Sequence, residues 1–192
     1  MQILLLGPQG SGKGTQAARI SEAYGLAHIA TGDMLRHAIE DGTGLGRKVK
    51  PIYDRGELVP DELMVDLIRT RLADEDANGG FVLDGFPRTM QQAHALDEML
   101  RHLGRELSIV FQLQISDTAC MERLLKRGEM EGRADDITEA ISKRLEIYHA
   151  ETEPLVEYYR AQGKLVGIHA ERSIDAVFEE IQQALDEVLV RK

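Results

Sequence analysis

The chain has 192 residues, 43% of them hydrophobic and 29% charged, which fits one globular domain, or a core with small appendages, able to bury its own interior. With 23 Lys and Arg against 33 Asp and Glu the formal charge is −10, so nucleic acid and anionic membranes are poor partners, and a small anion is held only where basic groups gather locally. The single cysteine, Cys120, excludes a disulfide within one chain and fits a reducing compartment. Residues 3–6 are too short an apolar run for a signal peptide or a membrane span, so a cytoplasmic location is expected.

In chain order, strand-like apolar runs fall at 2–6, 27–30, 81–83, 109–115 and 165–169. Amphipathic segments of helical length separate them, at about 13–24, 61–73, 89–103, 117–126, 137–148 and 174–190. This alternation predicts an α/β fold in three layers, with a five-stranded parallel sheet between helices. The continuous apolar character of residues 3–6 suits a central strand. Two stretches break the rhythm: 31–60, where short helical pieces are cut by Gly42, Gly44, Gly46, Pro51 and Gly56, and 126–136, rich in Gly and charge with almost nothing to bury. The expected organisation is a single core domain (about 1–29, 61–125 and 137–192) carrying two mobile elements, an insertion at 30–60 and a short lid at 126–136.

After the first strand the chain reads Gly7-Pro8-Gln9-Gly10-Ser11-Gly12-Lys13-Gly14-Thr15. Glycines let the backbone wrap so that N–H groups converge on an anion, the following helix adds its positive N-terminal end, and Lys13 supplies a mobile charge for outer phosphates. A glycine turn joining strand to helix would share part of this pattern. Strand, loop, lysine and helix in this order point to the P-loop way of holding a nucleoside triphosphate, through Gly10, Ser11, Gly12, Lys13, Gly14 and Thr15. One departure matters. The pattern normally has Ser or Thr directly after the lysine, as a Mg²⁺ ligand; here Gly14 stands there and Thr15 follows. No direct protein ligand to Mg²⁺ is therefore expected, and phosphate oxygens and water should hold it.

Other residues have chemistry to offer, each with a plainer alternative. Arg36 and Arg88 are suited to forked hydrogen bonding of a phosphate monoester, although Arg36 could lie on a solvated face. Gln92 can pair with an adenine edge through donor and acceptor together, or sit on the surface; Thr31 could simply cap a helix. Arg123 and Arg127, four apart, share a helix face, and with Arg133 and Arg144 they make a local anion trap near the glycine-rich flap. Surface salt bridges with Glu122, Glu129 and Glu131 are the alternative.

Taken together, Gly7–Gln16 with Thr31-Gly32-Asp33-Met34-Leu35-Arg36 and Asp84-Gly85-Phe86-Pro87-Arg88 resembles the short-lid adenylate kinases of the nucleoside monophosphate kinase family, from the first strand to the last helix. The resemblance implies the reaction MgATP + AMP ⇌ MgADP + ADP, with ATP, AMP and ADP as ligands; independently of it, a monomer is the default expectation. It places Thr31, Arg36, Leu58, Val59, Gly85, Arg88, Gln92, Arg133 and Arg144 around AMP, and Arg123, Arg127 and Arg172 with the loop around ATP. Lys13, Arg88, Arg123, Arg127, Arg133 and Arg144 become the catalytic cations. Asp33 and Asp84 hold Mg²⁺-bound water, Asp135 and Asp136 latch the lid, and the Phe86–Pro87 bond is cis. A buried Asp84 capping the next turn is the competing view of that residue. Longer relatives carry a lid with a cysteine zinc site; a lone Cys120 and a short lid imply no structural zinc. Thr31 and Gln92 favour AMP over the acceptors of the related UMP/CMP kinases. The acceptor is already an anionic phosphate oxygen, so no catalytic base is needed and the six histidines require no role.

Overall fold

The computed structural model describes residues 1–132 and 136–190. Five strands, β1 (Gln2–Leu6), β2 (Ala27–Ala30), β3 (Phe81–Asp84), β4 (Ile109–Gln114) and β5 (Leu165–His169), form one sheet in the order β2-β3-β1-β4-β5. Every pairing is parallel. The strand of continuous apolar character, β1, is the central one, where both faces are covered.

Alternation along β1 divides the interior. Ile3 and Leu5 face α1 (Lys13–Tyr24) and α9 (Ile174–Val190), packing with Val82, Phe111, Ile20, Phe178 and Ile181. Leu4 and Leu6 face the opposite way, with Ile29, Leu83 and Val110, toward α4 (Asp61–Leu72), α5 (Met90–His102) and α8 (Pro154–Ala161), which contribute Met64, Ile68, Leu96, Leu155 and Tyr159. Full burial of one such side chain stabilises by about 1.5–3 kcal/mol, so two continuous cores fix the sheet between its helices.

Residues 31–60 form two helices, α2 (Thr31–Glu40) and α3 (Gly44–Asp54), rather than several pieces. Thr43 caps α3 by accepting from the Gly46 N–H at 3.0 Å. The pair packs so closely that a Cβ on Gly46 would stand 1.8 Å from the Ala38 carbonyl oxygen. Pro51 lies inside α3 on an exposed position.

Two further departures from the sequence reading lie on the other flank. Helix α6 (Asp117–Glu131) continues five residues past Lys126, into the glycine-rich segment, and ends where Gly132 takes a left-handed φ of 65° and returns its N–H to the Gly128 carbonyl at 2.9 Å. After α7 (Thr138–Ile147) a π-helical turn, Tyr148–Thr152, leads straight into α8, an element absent from the sequence reading. Pro154 at the start of α8 needs no N–H partner there.

The strand ends build the site. In the sheet register Leu5 lies opposite Asp84, and Asp84 opposite Ala30. The loop after β1, the start of α2 and the Asp84-Gly85 turn therefore meet at the carboxyl edge, where ligands bind in open parallel sheets. Among the described residues no helix is long and apolar enough to cross a membrane.

Candidate active site

The loop between β1 and α1 is shaped by close approach. Gly7 has φ 147° and a Cβ there would lie 2.9 Å from the Leu113 carbonyl oxygen; Gly10 has φ 83° and meets the Cys120 carbonyl oxygen at the same distance. Lys13 folds back over the loop, its Nζ donating to the Gly7 and Pro8 carbonyls at 2.8 Å each. Burial pushes the Lys13 ammonium below the usual lysine range; Asp84 opposes the shift, and Arg88 and Arg127 reinforce it. Cationic repulsion in a half-buried place is a condition that an incoming polyanion relieves. Below the loop, burial raises the Cys120 thiol to about 11, which keeps it a protonated packing group.

On the β3 side, Thr31 is fully buried and its Oγ1 donates to the Asp84 carbonyl at 3.3 Å. Gly85 has φ 86°, and a Cβ there would come within 2.6 Å of Thr31 Oγ1, so the turn admits only glycine. The Phe86–Pro87 bond is cis. Arg88 is aimed by its Nε–H donating to the Gly85 carbonyl at 2.8 Å. Burial lowers its guanidinium from the ordinary arginine value, with Asp84 opposing and Arg144 adding to the shift.

Gln92 is 1% exposed. Its Oε1 accepts from the Arg88 N–H at 2.8 Å and its Nε2 donates to Asp61 Oδ1 at 2.7 Å. Arg36 donates to the Tyr53 hydroxyl at 3.0 Å and pairs with Asp33. The carboxylate expected to hold metal-bound water at position 33 is thus turned to an arginine. Leu58 and the buried Val59 form apolar wall beside them.

Across the cleft, Arg123 donates to the Ala170 carbonyl at 3.0 Å and reaches the Gly10 carbonyl at 3.4 Å. Arg127 makes a two-pronged pair with Asp136, at 2.7 and 2.9 Å, and the same carboxylate accepts from Arg144 at 3.4 Å. The Asp136 side chain is wholly buried and that of Arg144 is 7% exposed. Arg172 donates to the His169 carbonyl at 3.0 Å, pairs with Glu180 and lines the same cleft. Arg133 and Asp135 lie outside the described residues.

Gly10, Ser11, Gly12, Lys13, Gly14 and Thr15 of the loop border one cleft of about 800 Å³ with Arg123, Arg127, Arg144, Arg172, Asp84, Gly85, Arg88, Arg36, Leu58, Val59 and Gln92, whereas Thr31 and Asp136 do not line it. Among the described residues no group of three or more His, Cys, Asp or Glu could ligate a metal directly. Asp84 Oδ2 lies 3.4 Å from the point where a Cβ on Gly14 would stand. A carboxylate facing open space beside the triphosphate loop fits an ion whose own ligands are phosphate and water.

Two groups at the site escaped the sequence reading. Tyr53, on α3, meets Arg36 through its hydroxyl, and its ring lies 5.9 Å from the Arg144 guanidinium carbon. Asp61, at the start of α4, holds Gln92. Neither carries a local signal: Asp61 reads as an ordinary acidic residue in a first helical turn.

The adenylate kinase family model matches residues 5–164 of this chain. The chain is 44% identical over 188 residues to the adenylate kinase of Phocaeicola vulgatus, covering 98% of this chain and 100% of that protein. It is 46% identical over 188 residues to the adenylate kinase of Caulobacter vibrioides, with 98% of both chains covered. To that of Caulobacter sp. strain K31 it is 47% identical over 188 residues, covering 98% of this chain and 100% of the relative.

Proposed function

Because the chain belongs to the adenylate kinase family, we propose that it reversibly transfers the terminal phosphoryl group of ATP to AMP, giving two molecules of ADP. The observation that carries this reading is that one cleft is lined both by the glycine loop with Lys13 and by Arg36, Asp84 and Arg88. A module that only bound or hydrolysed ATP would have no use for a second phosphate clamp.

In the proposed reaction an oxygen of the AMP phosphate forms a bond to the γ-phosphorus as the bond from that phosphorus to the β-phosphate oxygen breaks. The attacking oxygen is already anionic, so no side chain removes a proton. The protein's task is to align two polyanions and offset their repulsion. The loop N–H groups and Lys13 hold the donor's phosphates, with Arg123, Arg127 and the Arg172 segment on the donor side. Arg36 and Arg88 hold the acceptor phosphate, and Arg144 and Arg133 follow charge as it moves. Thr31, Leu58, Val59, Gly85 and Gln92 enclose the acceptor nucleoside. Mg²⁺ bound with ATP would neutralise phosphate charge; Asp84 would hold its water shell, and Asp33 would do so only if released from Arg36. Segments 30–60 and 126–136 close over the nucleotides and exclude water, which would otherwise compete as acceptor; Asp136 contributes to that closure.

A coupled ADP-formation assay with ATP and AMP, UMP or CMP tests the reading. AMP should be the acceptor used, with ATP untouched when no monophosphate is present. Preference for UMP or CMP, or ATP consumption without any acceptor, would overturn it.

A further inference from the structure

We infer that Asp61 is a specificity-positioning residue: its carboxylate fixes which way round the Gln92 amide faces the cleft, and so selects a 6-amino over a 6-oxo purine. The inference rests on the proposed acceptor site, in which Gln92 reads the base. An ionised carboxylate only accepts hydrogen bonds and a backbone N–H only donates. Asp61 Oδ1, 2.7 Å from Nε2, therefore requires the NH₂ end of the amide, and the Arg88 N–H, 2.8 Å from Oε1, requires the carbonyl end. The two demands agree, so one orientation satisfies both and the flipped amide satisfies neither. Asp61 is itself held: Thr89 Oγ1 donates to its second oxygen at 3.0 Å while accepting from the Gln92 N–H at 3.2 Å. The start of α4 is thus tied to the first turn of α5 by one continuous network.

With one hydrogen and one lone pair committed, Gln92 retains one N–H and one lone pair for a ligand. Adenine meets that pair with a ring-nitrogen acceptor beside its exocyclic amino donor. Hypoxanthine and guanine present the opposite sense on the same edge, a carbonyl acceptor beside an N1–H donor. With the amide immobile, the oxo base sets donor against donor and acceptor against acceptor. Mispaired buried polar groups are what give hydrogen-bonding sites their large discrimination. A freely turning amide would lose this by flipping to suit either base.

The test compares AMP with inosine monophosphate, which differs only by an oxo group for the amino group and a proton on N1. In Asp61→Ala, water can fill the vacated place and accepts either orientation. KM for AMP should rise about tenfold with kcat changed less than about threefold, and the AMP-to-IMP ratio of kcat/KM should fall about tenfold. Asp61→Asn keeps shape and can pair with either end of the amide. It should melt like the parent and also lower the ratio; in both variants the Arg88 N–H still favours the original orientation, so the ratio falls without vanishing. If Asp61→Ala fails to fold, the Asn variant decides. An unchanged ratio in the folded variants, or an equal loss of kcat with both nucleotides, overturns the inference. Absence of AMP phosphorylation by the parent protein would instead overturn the proposed function.

Discussion

The cations of the cleft are held in two ways. Among the described residues, Lys13 and Arg88 donate to carbonyl and hydroxyl oxygens, namely those of Gly7, Pro8, Ser11 and Gly85. On the α6–α7 side, Arg127 and Arg144 share the buried carboxylate of Asp136. Carbonyl dipoles can aim a cation without neutralising it, so burial lowers the protonation preference of both Lys13 and Arg88. The difference teaches where a phosphate is most needed: the floor of the cleft holds two buried cations that Asp84 only partly offsets, while on the flank a buried carboxylate is bonded directly to its arginines.

The sharpest way to break this contrast is Arg88→Ala. Losing a cation that contacts the transferring or accepting phosphate costs about 10³–10⁵ in rate, whereas the one hydrogen bond lost to Gly85 is worth about 0.5–1.5 kcal/mol. A coupled assay should therefore show near-complete loss with a melting temperature within a few degrees of the parent. Unfolding would recast Arg88 as a structural tie. On the flank the order should reverse. Asp136→Ala removes a wholly buried carboxylate that pairs with both Arg127 and Arg144, and truncating one member of a buried pair costs about 3–5 kcal/mol. Denaturant unfolding should register most of that loss, with a smaller effect on rate than Arg88→Ala. Parent-like stability would mean that Asp136 does not hold the flank.

The smallest effect is expected at a third kind of tie. His149, on the π-helical turn after α7, lies 2.8 Å from Glu153 and 3.0 Å from Asp117 at the start of α6. Hydrogen bonds to Glu153 first and Asp117 second raise its pKa above the usual histidine value. The folded state thus holds the proton more tightly than the unfolded chain. The stabilisation is complete below about pH 6.5 and is lost as pH rises through the higher folded value. His149 is 44% exposed, so solvent screening limits the gain to less than about 1 kcal/mol. Melting curves of the parent and His149→Gln should differ on the acid side of this window and converge above it. A pH-independent difference would sink the assignment.

Much of the fold was legible because the relevant signals are local. Residues 3–6 are too continuously apolar for an edge, and the chain does put them at the sheet centre. The extension of α6 was hidden because Arg127-Gly128-Glu129-Met130-Glu131 buries little, yet a helix already begun adds residues at low cost once nucleated. Helix α8 follows the π turn without a break, leaving no composition change to announce it, although Pro154 was a usable start signal. At the site, Lys13, Arg36, Arg88, Gln92, Arg123, Arg127 and Arg144 stood out by residue type, Arg172 was reached only through the family resemblance, and all line one cleft. Tyr53 and Asp61 did not stand out, because what matters about each is its neighbour.

By itself, then, the sequence determined the alternation of strands and helices, the glycine-shaped anion loop and the supply of basic groups in an acidic chain. These follow from backbone freedom and side-chain chemistry at single positions. Only the tertiary structure decided which acceptor each donor meets: Asp136 between two arginines, Asp33 on Arg36, and Asp61 against Gln92, 31 residues away in the chain. Hydrogen bonds and ion pairs act over a few ångströms, and the packing of the sheet and its helices alone sets which groups come that close.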